Sequence, residues 1–319
     1  MAASPEVLTA ASPPKDRPAD PDLPIVRRRR PGQWLATAAA LLLLALVASS
    51  VVRNPRFQWG VVGDWFTTAA VLRGLTLTLW LTAATMVLGF LLGTVLAVAR
   101  IWGNLLLRSL SWGYVWLFRS IPPLVQLLLW FNIGALYPRL GLGIPFGPEF
   151  VSVRTVDLFG PLLTSVIGLT LLEAAFAAEV VRGGLLSVDQ GQLEAAESLG
   201  LGRWRVLRRI VLPQAMRSIV PTAGNMLVGL LRSTSIVSVL AVQDLLYSVQ
   251  LVYNQTYQVI PMLLVATLWY LALTTLLSVG QYYLERHFAR GAGRAGLPPT
   301  PLQRARAALG ALRTRVDAR

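Results

Sequence analysis

Apolar blocks about as long as a bilayer is thick constrain this chain more than any other feature. They cover residues 34–52, 71–99, 114–134, 161–181, 218–241 and 259–284. About 20 apolar residues suffice for a helix to cross the hydrocarbon of a membrane. Lipid offers no partner to backbone N–H and C=O groups, so a spanning segment must be a helix or part of a closed barrel. These runs lack the strict alternation of barrel strands, so helices are predicted. The run over 71–99 amounts to about 43 Å of helix, longer than the ~30 Å hydrocarbon core, and should tilt or protrude. Composition agrees: 55% of the residues are hydrophobic and 14% charged, where a soluble protein carries about a quarter charged. The expected fold is an all-α polytopic membrane protein with about six transmembrane helices.

Absences narrow the chemistry. The chain has no cysteine, which excludes disulfides, iron–sulfur clusters and thiol catalysis. A single histidine, His287, argues against His-rich metal sites and haem ligation. The only lysine is Lys15, in a proline-rich head, so a phosphate-binding loop with its lysine on the nucleotide has no place here. Whatever work the chain does, it is expected not to bind ATP by that route itself. The net charge of +14 raises the question of nucleic acid. In a membrane protein, however, arginine marks the cytoplasmic side, and no nucleic-acid partner is expected.

Arginine placement then sets the topology. Residues 1–33 read as a disordered cytoplasmic segment ending in the basic run Arg27–Arg30. The following run starts late, is long and lacks a small-residue cleavage site, so 34–52 reads as an additional transmembrane helix that acts as a signal anchor. Six crossings return the C-terminus to the cytoplasm. Arg100, Arg108, five arginines between Arg203 and Arg217 and eight from Arg286 onward then fall on the inner side. No Lys or Arg occurs between Ser233 and Glu285, which contain the last outer loop. Residues 289–319 form a basic cytoplasmic tail.

One cytoplasmic segment, 189–213, is too polar to insert. Asp189 is placed to cap a helix from Gln190 to Leu199, and Gly200 to stop it in a left-handed conformation. A second helix starts near Arg203 and ends at Pro213, where the chain returns to the membrane. Such an elbow could lie on anionic lipid or dock into a separate subunit. Its residues read Glu194-Ala195-Ala196, then Gly200, then Ile210-x-Leu212-Pro213. This spacing resembles the EAA motif of bacterial ABC importer permeases. The resemblance extends from about residue 71 to 290 and is closest to the polar amino-acid uptake permeases. Their "G-L-x-x-T-L" is similar to Gly74–Leu79, their "A-E-x-x-R-G-G" to Ala178–Gly184, and their "G-N" to Gly224-Asn225. One segment departs: "F-R-G-T-P-L-L-V-Q" reads Phe118-Arg119-Ser120-Ile121-Pro122-Pro123-Leu124-Val125-Gln126, with two prolines and no Gly-Thr pair.

The resemblance implies a five-helix permease core over 71–288 in a bacterial inner membrane, with the elbow seated in an ATP-hydrolysing partner. Glu194, Ala195, Ala196, Gly200, Ile210, Leu212 and Pro213 would be the coupling residues. ATP and magnesium would belong to a partner ATPase dimer. A second permease copy or paralogue, an external solute-binding protein, an amino-acid substrate and membrane lipid complete the implied partners.

Charges within spans are costly and are functional suspects. Glu173 falls near the middle of the fourth run, and Glu179 and Arg182 share a helical face near its cytoplasmic end. In the fifth run Asn225, Gly229 and Arg232 share a face, as Arg119, Pro122 and Gln126 are expected to do in the third. An amino acid presents a carboxylate, which suits the arginine fork, and an ammonium, which suits a carboxylate. Glu173, Arg232, Gln126, Asn225 and Arg119 are therefore the candidate substrate-binding residues. The competing reading is a secondary amino-acid transporter driven by an ion gradient. It leaves the elbow unexplained, and no inverted repeat of broken helices supports it.

Overall fold

The computed structural model describes residues 31–143 and 149–289. The expected disordered head through residue 30 and the basic tail from residue 290 lie outside the described residues. The chain divides into two compact units, Met1–Phe57 and Gln58–Arg319.

In the first unit, helix α1 (Pro31–Arg53) is followed by a 3-10 turn, Pro55–Phe57. Helix α1 is long and apolar enough to span a bilayer and exposes its leucines all round, the pattern of a helix solvated by lipid.

The second unit opens with α2 (Trp59–Phe66), α3 (Ala69–Trp102), α4 (Leu105–Ser120), α5 (Pro123–Phe131) and α6 (Ile133–Leu136). An antiparallel hairpin of β1 (Arg139–Gly143) and β2 (Glu149–Arg154) follows, then α7 (Thr155–Leu158) and α8 (Pro161–Leu186). The elbow comprises α9 (Gln190–Ser198), α10 (Arg203–Val206) and a π-helical turn, Leu207–Val211. The chain closes with α11 (Leu212–Ser233), a 3-10 stretch Thr234–Leu240, α12 (Leu245–Thr256) and α13 (Val259–Ala289).

Helices α3 and α8 form the spine of this unit. Thr85, Gly89, Gly93 and Ala97 recur every four residues on α3 and are all buried. Gly89 meets Glu173 and Gly93 meets Ala177, so the two helices run side by side in the same direction. A methyl group built on Gly93 would stand 2.6 Å from the Ala177 Cβ and 2.9 Å from the Ala174 carbonyl oxygen. In lipid no hydrophobic force drives helices together, and close packing of small residues takes its place. Ala174, Ala175, Ala177 and Ala178 supply the matching surface and are buried. Helix α11 returns antiparallel along α8, with Gly184 against Ala215 and Ile219. The α13 residue Gln281 packs on Gly224.

At the other end, Val71, Leu231, Leu245, Val249, Met262 and Val265 form an apolar core. Asp244 caps α12 by accepting from the Tyr247 N–H at 2.8 Å, and Thr78 Oγ1 accepts from the Leu245 N–H at 3.0 Å. These contacts fix α12 against α3.

Two expectations are corrected. The third span is not one helix over 114–134: α4 and α5 meet at a 104° bend. The cause is the paired proline. A residue before proline is driven out of the helical region, and both Ile121 and Pro122 precede one. Ile121 has φ −93°, ψ 131° and Pro122 φ −57°, ψ 135°. Pro123 then opens α5, where its missing N–H costs nothing. The fifth run, 218–241, lies within the candidate span Arg203–Leu240 except for Ala241, but it is not α-helical throughout: α11 begins earlier, at Leu212, and the last part of the run is the 3-10 stretch. The hairpin and the short helices α2 and α12 have no counterpart in the sequence reading.

Candidate coupling elbow and intramembrane polar site

The elbow folds through its caps. The Asp189 carboxylate accepts from the Gln192 N–H at 3.1 Å and starts α9. At the other end Gly200 N–H donates to the Glu197 carbonyl at 2.9 Å and Leu201 N–H to the Ala196 carbonyl at 3.1 Å. This pair of bonds is the Schellman stop, and Gly200 takes the left-handed conformation it demands, with φ 68°. The second half does not end at Pro213 as expected. It passes through the π turn, in which Leu212 N–H donates to Leu207 five residues back, and continues into α11. The wider turn accommodates Pro213, which has no N–H and whose ring would crowd a regular helical turn.

Among the motif residues, Ala196 is buried and Ile210 half-buried, while Glu194, Ala195, Gly200, Leu212 and Pro213 are exposed. The Gln214 amide donates to the Gln192 side chain at 2.6 Å and to the Ile210 carbonyl at 3.1 Å, joining the two halves. Between the halves lies an open groove lined by Gln192, Ala195, Leu199, Arg209 and Ile210. Leu199 and Trp204 are 78% and 70% exposed. Sequence reasoning missed these two large apolar projections, although apolar side chains in so polar a segment were a usable signal.

At the base of the elbow Glu179 binds two arginines. It accepts from Arg182 Nη2 at 2.7 Å and Nε at 3.1 Å, and from Arg100 Nη1. The i,i+3 pair with Arg182 follows from helix geometry. The Arg100 partner, on α3, does not.

The five candidate substrate residues fall into two groups. Glu173 and Gln126 are buried on α8 and α5. Glu173 Oε1 and both amide atoms of Gln126 have no hydrogen-bond partner among the described residues. The same holds for the buried hydroxyls of Thr85 and Thr170 and for Trp130 Nε1. A buried polar atom left unpaired costs about 1–3 kcal/mol, so this concentration on α3, α5 and α8 needs an explanation. Arg119, Asn225 and Arg232 are exposed instead. The Arg119 guanidinium lies over the Phe176 ring, 5.3 Å from its centroid. On α11, a Cβ built on Gly229 would meet no atom within 4 Å among the described residues. Arg119 and Gln126 do not share a helical face, because the proline break puts them on α4 and α5. No hydrogen bond or ion pair joins any two of the five among the described residues.

Residues 89–290, which hold both the elbow and this polar site, match the family of binding-protein-dependent transport system inner membrane components. The chain belongs to that family. It is 40% identical over 269 residues to the arginine transport system permease protein of Corynebacterium glutamicum, covering 83% of each chain. It is 31% identical over 227 residues to the histidine/lysine/arginine/ornithine transport system permease protein of Escherichia coli, covering 71% of this chain and 96% of that one. The fold matches the solved structure of an amino acid ABC transporter, with TM-score 0.58 and 29% identity over 68% of this chain and 94% of that one. It also matches the MetNI methionine ABC transporter, with TM-score 0.52 and 23% identity over 69% and 96% of the two chains.

The protein is thus a multi-pass inner-membrane permease subunit of an ABC importer, as the residue resemblance implied, and the ion-gradient alternative is not supported. Permeases of this family work with an ATPase and a substrate-binding protein. The additional helix α1 lies outside residues 89–290, which the family match covers.

Proposed function

We propose that this permease moves a polar or charged amino acid into the cytoplasm, driven by ATP hydrolysis in a separate subunit dimer. The elbow is the observation that carries the reading. A capped two-helix polar element between two spans, in a family member without a phosphate-binding loop, suits a lever seated on an ATPase. The positive-inside rule supports a cytoplasmic elbow, with both termini on the same side. In this reading residues 34–52 are an accessory span, 71–288 the core and 289–319 a cytoplasmic tail. ATP and magnesium stay on the ATPase, and this chain performs no catalysis. A second permease copy or paralogue completes the pathway, and an external solute-binding protein delivers substrate.

A cationic amino acid is the best fit for substrate. Glu173 brings a carboxylate into the bundle without a cationic partner among the described residues, and the two relatives named above are arginine and histidine/lysine/arginine/ornithine permeases. Arg232, Arg119, Asn225 and Gln126 would meet the carboxylate and the remaining polar groups. The test is uptake of labelled arginine by proteoliposomes holding the permease, ATPase and binding protein. Uptake should require ATP; uptake driven by an ion gradient without ATP would overturn the coupling. Losing a charged contact in a dry site costs about 2–5 kcal/mol. Glu173→Gln, at a buried position, should therefore raise half-saturation at least about tenfold, and Arg232→Gln, at an exposed position, should raise it by less. Unchanged half-saturation in both would remove them from the site.

A further inference from the structure

We propose that a groove between α3, α4 and α8, at the elbow end of the bundle, binds the phosphodiester headgroup of an anionic membrane lipid. The groove is about 800 Å³ and is lined by Arg100, Arg108, Arg182, Ser109, Trp112 and Leu186, among others. That volume lies within the ~300–1,000 Å³ of ordinary ligand sites. Three guanidinium groups meet one carboxylate there, because Glu179 is shared by Arg100 and Arg182. Arg108 is exposed and has no carboxylate partner among the described residues. The groove therefore carries two uncompensated positive charges, in the planar fork geometry that suits phosphate oxygens.

Its position selects a lipid over a free anion. Arg100 lies in the last turn of α3, and Arg182 lies four residues before the end of α8, near the depth at which headgroups lie. On α4, which supplies Arg108 and Ser109, Leu105, Leu106 and Leu110 are exposed. Trp112 and Trp116 stack there with ring centroids 6.3 Å apart, like the aromatic side chains that gather at membrane interfaces. A cationic pocket between helices near the end of their spans, with Ile101, Trp112 and Leu186 also in its lining, has the two chemistries an anionic phospholipid presents. A lipid held there would bridge three helices at the point where α8 hands over to the elbow.

The test uses the purified full-length permease in detergent, titrated with phosphatidylglycerol, phosphatidylcholine of the same acyl chains, or inorganic phosphate. Bound lipid is counted by native mass spectrometry. Phosphatidylglycerol should bind in clear preference to phosphatidylcholine, and inorganic phosphate should not displace it. Arg108→Gln should weaken phosphatidylglycerol binding about fivefold and leave the melting temperature unchanged. Arg73→Gln, the same charge loss at the other end of α3, should leave binding intact. Equal binding of the two lipids, displacement by phosphate, equal losses in the two variants, or a change in oligomeric state without a change in lipid binding would each overturn the assignment.

Discussion

Replacing Gly200 isolates one torsion angle at the turn of the elbow. Its φ is 68°, and a Cβ placed there would meet no atom within 4 Å. A substitution therefore meets no steric clash with neighbouring elements, and its whole cost is local to the backbone. Holding an L-residue in the left-handed region costs about 1–2 kcal/mol, with a β-branched side chain at the upper end. At 1.4 kcal/mol per tenfold, Gly200→Val should lower the population of the intact Schellman turn roughly 5- to 30-fold. The two bonds donated by Gly200 and Leu201 would open, and α10 would lose its alignment with α9. Asparagine tolerates this conformation, so Gly200→Asn should stay close to the parent. The assay is substrate-stimulated ATP hydrolysis by the reconstituted complex, with the melting temperature of the permease measured in parallel. Gly200→Val should lose stimulation while the bundle melts normally, and Gly200→Asn should keep most of it. Full stimulation in the valine variant, or equal loss in both, would refute the reasoning.

Gly93→Ala should destabilise the bundle by about 1–3 kcal/mol, because the added methyl strikes a facing Cβ and backbone atoms of α8. Gly183→Ala, where a Cβ would meet nothing within 4 Å, is the matched control, and equal melting temperatures for the two would refute the small-residue spine. Gln126→Leu removes an amide that is 3% exposed and unpaired, so it should raise the melting temperature yet reduce transport. A loss of stability with transport intact would instead mark Gln126 as a packing residue.

The polar residues within the spans show most clearly where sequence reading stopped. Glu173 and Arg232 both lie within apolar runs, yet one is buried and the other exposed. Their neighbours in the fold decide that, and those neighbours are distant in sequence. Arg119 and Gln126 shared a face only on the assumption of a straight helix. Paired prolines signalled the break locally, but not its angle or the packing of α5 on α8.

The sequence alone determined the positions of most spans, since burial of about 20 consecutive apolar residues in lipid depends on those residues and the bilayer. It also determined the elbow, because the Asp189 cap and the Gly200 stop act through backbone groups one to four residues away. Tertiary structure decided everything that joins separate spans. Arg100 and Glu179 are 79 residues apart, and they meet only because small residues let α3 and α8 run side by side. Hydrogen bonds that build a helix are local and can be read along the chain, whereas the contacts that pair helices depend on which faces meet.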